Sequence, residues 1–154
     1  MNNVSNAEAL ADGGFILEMR RTFQAARPRV FEAFTNPEAL SRWWGPEGCT
    51  APRIDMDLRP GGAFEIDMHQ ASGNIAYLCG VYDEILPHDR LAFTWAWGQG
   101  AEKGPATHVT LEFHDVAEGT EIILTHKGFA TEEGRDQHGD GWSSSFGCLV
   151  EQLN

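Results

Sequence analysis

Lysine is nearly missing from the 154-residue chain: Lys103 and Lys127 stand beside nine arginines, of which only Arg20 and Arg21 are adjacent. Reading phosphates requires clustered cations that release counterions, so neither nucleic acid nor an anionic membrane is expected as a partner. The opposite sign is plentiful. The 23 Asp and Glu against 11 Lys and Arg leave a formal charge of −12, which a solvated outer face accounts for. Cysteine is scarce and odd in number. Cys49, Cys79 and Cys148 lie far apart with no C-x-x-C, which argues against a disulfide framework or a thiolate zinc site and for a reducing cytoplasm. No apolar run approaches the ~20 residues of a membrane span; the longest, Ile75 to Tyr82, is interrupted by Gly80. Residues 1–14 lack the basic and apolar regions of a signal peptide and read as a flexible tail, so Asn3-Val4-Ser5, a formal glycosylation acceptor, has no consequence.

What is present is a clear change of hydrophobic period along residues 15–154, a length that suffices for one domain with its own core. Phe15 to Ala25 reads as a first strand. Pro28 suits the first turn of a helix carrying Val30, Phe31 and Phe34, which Asn36-Pro37 ends. A second short helix starts near Pro37, has Leu40, Trp43 and Trp44 on its apolar side, and stops at Gly45-Pro46. From Cys49 the pattern alternates: Ile54, Met56 and Leu58; Phe64, Ile66 and Met68; a long strand from Ile75 to Leu86; Leu91, Phe93, Trp95 and Trp97; Val109, Leu111 and Phe113; then Thr120 to Lys127. Turns of hairpin length join these strands, so they are mostly antiparallel. Trp142, Phe146, Leu149, Val150 and Leu153 then form the apolar stripe of a closing helix, which starts between Thr131 and Trp142 because Gly134, Gly139 and Gly141 weaken its first turns. The order predicts an α+β fold: a curved antiparallel sheet of six to seven strands, two short helices after the first strand, and a long C-terminal helix packed over one face.

Motifs for familiar chemistries fail on spacing. Gly141-Trp142-Ser143-Ser144-Ser145 lacks the last glycine and the preceding strand of a nucleophile elbow, so its serines read as a solvated helix face. At ~3.3 Å per residue His108 and His114 stand ~20 Å apart on one strand, which leaves only Glu112 and His114 able to share an ion. Asp136, His138, Asp140 and Gly141 imitate the start of a calcium loop, but Gly147 occupies the position that needs a bidentate Glu; Asp140 reads as a helix N-cap instead. Gly98-Gln99-Gly100 does not continue as G-x-G-x-x-G and joins two strands, as a hairpin loop does. Neither a metal nor a cofactor is expected.

The remaining feature is aromatic. Five Trp and nine Phe only slightly exceed what an ordinary core of this size needs, so most must be packing residues. Tyr77 and Cys79 on the long strand, and His126 in line with Thr120, Ile122 and Leu124, add polar groups to these inner faces, as in an apolar cleft that binds a small molecule.

Three segments then carry a resemblance: Ala26-Arg27-Pro28-Arg29-Val30-Phe31-Glu32-Ala33-Phe34; Asn36-Pro37-Glu38 leading to Trp43-Trp44-Gly45-Pro46; and Asp57-Leu58-Arg59-Pro60-Gly61-Gly62. With Leu91 to Trp95, Thr125 to Phe129 and Gly141-Trp142, they make the chain resemble the SRPBCC superfamily. Within it, the chain is similar to the branch typified by the C-terminal domain of the activator of the 90-kDa heat-shock-protein ATPase. The resemblance covers about residues 15 to 153 and implies a helix-grip fold, like that of START and birch-pollen-allergen proteins, with a cavity for lipophilic ligands between sheet and helix. As inward-facing positions, the expected ligand-binding residues are Trp44, Phe64, Ile66, Met68, Tyr77, Cys79, Phe93, Trp95, Leu111, Leu124, His126, Trp142 and Phe146. No catalytic residue is carried over. The first expectation is a cytoplasmic domain that binds a hydrophobic or aromatic small molecule. An enzyme of the polyketide cyclase or dehydratase kind, with Tyr77 and His126 as acid and base, ranks below it. A third reading is a co-chaperone-like interaction module that offers its acidic face to a heat-shock chaperone. An exposed apolar edge strand would favour a homodimer.

Overall fold

The structure, a computed structural model, describes residues 14–46 and 48–153, so Asn3-Val4-Ser5 and all of the expected tail but Gly14 lie outside the described residues. The elements run β1 (Phe15–Phe23), α1 (Arg27–Thr35), α2 (Pro37–Ser41), β2 (Thr50–Met56), β3 (Ala63–His69), β4 (Ile75–Leu86), β5 (Arg90–Trp97), β6 (Thr107–Val116), β7 (Gly119–Phe129) and α3 (Glu132–Leu153). A single 3-10 turn, Gly100–Glu102, interrupts the loop between β5 and β6.

The short helices follow from local chemistry. Pro28 sits in the first turn of α1, where its missing N–H costs nothing. Asn36 precedes Pro37 and is held extended, which ends α1; its side-chain oxygen then accepts from the backbone N–H of Glu38 at 2.9 Å and of Ala39 at 3.2 Å, which starts α2. Both halves of the Trp pair that follows are buried. Trp43 donates its indole N–H to the carbonyl of Ala33 at 3.0 Å, and Trp44 turns toward the sheet.

All strand pairs are antiparallel, in the order β1-β7-β6-β5-β4-β3-β2. The register sorts the faces. Phe64 lies opposite Gly80, Ile66 opposite Leu78, Tyr82 opposite Phe93, Phe93 opposite Val109, and Val109 opposite His126, so these residues share the inner face. Tyr77 lies opposite Asp67, and Cys79 opposite Glu65 and Ala96. The expected inward placement of Tyr77 and Cys79 is therefore wrong by one residue: they point to the outer face, while Leu78 and Tyr82 are buried on the inner one. The outer face is laced with ion pairs, including Arg53 with Asp55, Glu65 and Asp67, and Arg90 with Glu84 and Glu112. At the edge, β2 contains Pro52 and shifts register between Thr50 and Arg53.

α3 packs against β1 and β7 and buries Trp142, Phe146, Leu149 and Leu153. It begins at Glu132, near the early limit of the expected range, where the Thr131 hydroxyl accepts from the Gly134 N–H at 3.0 Å. Asp140 is consequently inside the helix and caps nothing, and the serine run is not uniformly solvated, because Ser145 is buried. Of the glycines that weaken these turns, Gly139 lies against the sheet: a Cβ there would stand 3.2 Å from Leu17. At the other end Arg29 donates to the carbonyl of Leu153 at 2.8 Å, satisfying one carbonyl of the last helical turn.

Gly80 is the tightest point of the inner face. A Cβ there would overlap both the Thr94 carbonyl oxygen and the ring of Phe64, which lies across the glycine. Gly80→Ala should therefore destabilise the protein by about 2 kcal/mol or more, by overpacking. A urea midpoint within error of wild type would refute this.

Candidate functional site

The inner face is filled unevenly. Under α1, the rings of Phe31, Phe34, Trp43 and Phe113 meet edge to face at centroid distances of 4.8 to 5.7 Å. Leu111, Leu124 and Phe146 are completely buried in the centre. Toward the first half of α3 the packing opens into a cavity of about 250 Å³. The segment after α2 supplies Trp44, Gly45, Pro46 and Cys49; β3 supplies Met68, with Gln70 just beyond it; β5 supplies Trp95 and Trp97; and α3 supplies Gln137, His138, Gly141, Trp142 and Ser145. A volume just below the usual 300 Å³ lower bound of ligand pockets suits a molecule of one or two rings.

Four tryptophans line this space, and no Asp, Glu, Lys or Arg does so among the described residues. A charged guest would lose its hydration without gaining a counter-ion, so the cavity suits an uncharged one.

Two neutral histidines hold the walls. Trp142 donates its indole N–H to Nδ1 of His126 at 3.1 Å, and an indole can only donate, so the proton of His126 sits on Nε2. That Nε2–H lies 2.7 Å from the Thr107 hydroxyl, which in turn donates to the Trp95 carbonyl at 3.1 Å. The second histidine has the opposite tautomer. Trp97 donates to Nε2 of His138 at 3.0 Å, and His138 Nδ1–H donates to the carbonyl of Gly134 at 2.8 Å. The two imidazoles meet edge to face, with ring centroids 5.4 Å apart. Burial pushes the pKa of His126 well below 6.5, and the nearby His138 and His108 lower it further.

Of the expected residues, Trp44, Met68, Trp95 and Trp142 line the cavity. Phe64, Ile66 and Phe93, again with Trp44, border a separate gap of about 30 Å³ deeper under α2. His126 stands behind Trp95 and Trp142 and holds them from there. Tyr77 and Cys79 border a groove on the outer face with Glu65, Asp67 and the Gly98–Lys103 loop. Tyr77 and His126 thus occupy opposite sides of the sheet and cannot reach one substrate atom, which removes the acid and base of the enzyme reading. Sequence reasoning missed Trp97, His138, Ser145 and Cys49. The first shares the alternation of Trp95, and the next two fall on the helical stripe of Trp142 and Phe146, so a signal existed for those three. No group of three or more His, Cys, Asp or Glu suited to a metal ion occurs among the described residues, and no helix there is long and apolar enough to cross a membrane.

Comparisons with known proteins agree with this architecture. A family model described as activator of Hsp90 ATPase homolog 1-like protein matches residues 24–154. A protein from Silicibacter pomeroyi that carries the same family name is 28% identical and superimposes with a TM-score of 0.82 over 90% of this chain and 96% of its own. A Chromobacterium violaceum protein, 24% identical, superimposes with a TM-score of 0.81 over 90% of this chain and 96% of its own. CalU16 from Micromonospora echinospora, also 24% identical, gives 0.67 over 92% of this chain and 76% of its own; these last two likenesses bear on the fold alone. No protein of curated function matches the chain.

The state of His126 fixes a pH dependence. The unfolded chain protonates this imidazole near pH 6.5, the folded chain only well below it, so unfolding takes up a proton in between. Its contribution to stability is complete above pH 6.5 and is lost as the pH falls toward the folded-state value. His126→Gln keeps an acceptor for Trp142 and a donor for Thr107. The fall in urea midpoint between about pH 7 and pH 5 should be shallower in this variant than in wild type; equal slopes would contradict the assignment.

Proposed function

Because the chain belongs to the family of activator of Hsp90 ATPase homolog 1-like proteins, within the SRPBCC superfamily, we propose that it binds an uncharged, planar, hydrophobic small molecule between its sheet and α3. The observation that carries this reading is the cavity of about 250 Å³ walled by four indoles and, among the described residues, by no charged side chain. Ring faces offer stacking and edge-to-face contacts worth about 0.5–1.5 kcal/mol each beyond the area they bury, which favours an aromatic guest over an aliphatic one of equal size. Gln70 and Gln137, both exposed, sit at the mouth, where a polar end of the guest meets water.

Binding is favoured over catalysis because the histidines nearest the cavity are already committed. Both ring nitrogens of His126 and of His138 have partners within the protein, which leaves neither free to exchange a proton with a guest. The acidic outer face lends no separate support to a chaperone-docking role, since carboxylates of β2, β3 and β6 are tied to Arg53 and Arg90. A reducing cytoplasm is the setting we assign, on the ground of three widely spaced cysteines with no C-x-x-C.

Naphthalene, titrated up to its solubility limit, should quench the tryptophan fluorescence and raise Tm, because it binds the folded state alone. Ser145→Leu places an apolar side chain in the cavity and should weaken that binding by about tenfold or more, with the fold retained by circular dichroism. Unchanged fluorescence and Tm across the wild-type titration would end this reading.

A further inference from the structure

The indole nitrogens divide into two groups. Trp43 donates to the Ala33 carbonyl, Trp97 to His138 and Trp142 to His126. Trp44 and Trp95 have no acceptor, although they are 7% and 6% exposed and their nitrogens are sealed from water. Among the described residues only one other buried side-chain polar atom, Nδ1 of His108, is left in this condition. The two orphan donors are neighbours: their rings are 5.8 Å apart, inclined at 53°, and both line the cavity. A buried donor without a partner is the costly case in hydrogen bonding, and protein folds supply partners almost everywhere. Here they are supplied to every other indole and withheld from two adjacent ones in the same wall.

We propose that the missing acceptor arrives with the ligand, and that the ligand class is a planar aromatic compound bearing an uncharged carbonyl, whose oxygen is shared by the N–H groups of Trp44 and Trp95. This rests on the binding reading above and narrows it. A carbonyl oxygen has two lone pairs and serves two donors at once, whereas a purely hydrocarbon guest leaves both donors unpaired. A carboxylate would also accept twice, but its charge would be buried with no cation among the described lining residues. Water does not reach either nitrogen, so a guest oxygen that pairs with them supplies bonds that solvent does not.

The test uses three probes of nearly equal shape on the full chain: indane, 1-indanone and indane-1-carboxylate. The wild-type protein should bind 1-indanone about tenfold more tightly than indane, as two neutral hydrogen bonds warrant, and the carboxylate no better than indane. Trp44→Phe and Trp95→Phe keep a ring and remove the N–H; each should bring 1-indanone to within about threefold of indane, both measured on the same variant. In wild-type protein, independently of any variant, 1-indanone should move two of the five indole N–H resonances downfield, and indane should not. Equal affinity for indane and 1-indanone, or an indanone preference that survives both substitutions, overturns this inference and leaves the binding reading intact. Failure of every probe to bind overturns both.

Discussion

One hydrogen bond, from the indole of Trp142 to the imidazole of His126, ties the closing helix to β7. It requires a neutral ring, because a protonated imidazole has no lone pair to offer. It also extends beyond the pair: the same imidazole holds the Thr107 hydroxyl, and through it the Trp95 carbonyl. α3, β5, β6 and β7 thus meet at a single side chain with 0% exposure. His138 repeats the device one turn of helix earlier, fixing Trp97 from the opposite side. Rigid walls made in this way explain how a space survives in an interior that otherwise closes on itself, as it does around Phe31, Phe34 and Phe113.

The position of the space follows from the order of elements. α1 and α2 return the chain over β6, β7 and β2, and their aromatic residues fill that part of the inner face. α3 enters from the other end with glycines at 134, 139 and 141, so the bulky side chains its first half turns toward the sheet are Arg135, His138 and Trp142. The fold family determines this geometry, but fold alone does not choose a ligand; the identities of the lining side chains do.

Much of this was legible in the residues. Proline and asparagine at 28, 36 and 37 placed α1 and the start of α2, which ends at Ser41 and not at Gly45-Pro46, and alternation placed the strands, with β4 matching its expected limits. The face of β4 was not legible. Ile75, Tyr77, Cys79 and Val81 are as apolar as Ala76, Leu78, Gly80 and Tyr82, so period two has no preferred phase there. What decides it is tertiary: only the phase that puts Gly80 inward leaves room for the ring of Phe64. The start of α3 was blurred for a related reason. Its glycines cost helix propensity locally, and Gly139 lets the backbone approach Leu17 of β1, a contact invisible along the chain. The cavity was seen through its large residues and missed at its polar ones, because Ser145, Gln70 and His138 resemble surface residues until the helix and strand that carry them are in place.

Pro52 and the register shift beside it bear on how copies of this protein coexist. An edge strand exposes unpaired N–H and C=O groups and invites a neighbour to add to the sheet. β2 forms one edge, and there the proline withholds a donor, the ladder is broken between Thr50 and Arg53, and Arg53 with its carboxylate partners crowds the rim with charge. At the other edge the exposed side of β1 carries Glu18, Arg20 and Thr22. A sheet of seven strands, open at both ends, thus carries at each edge features that oppose the addition of a further strand.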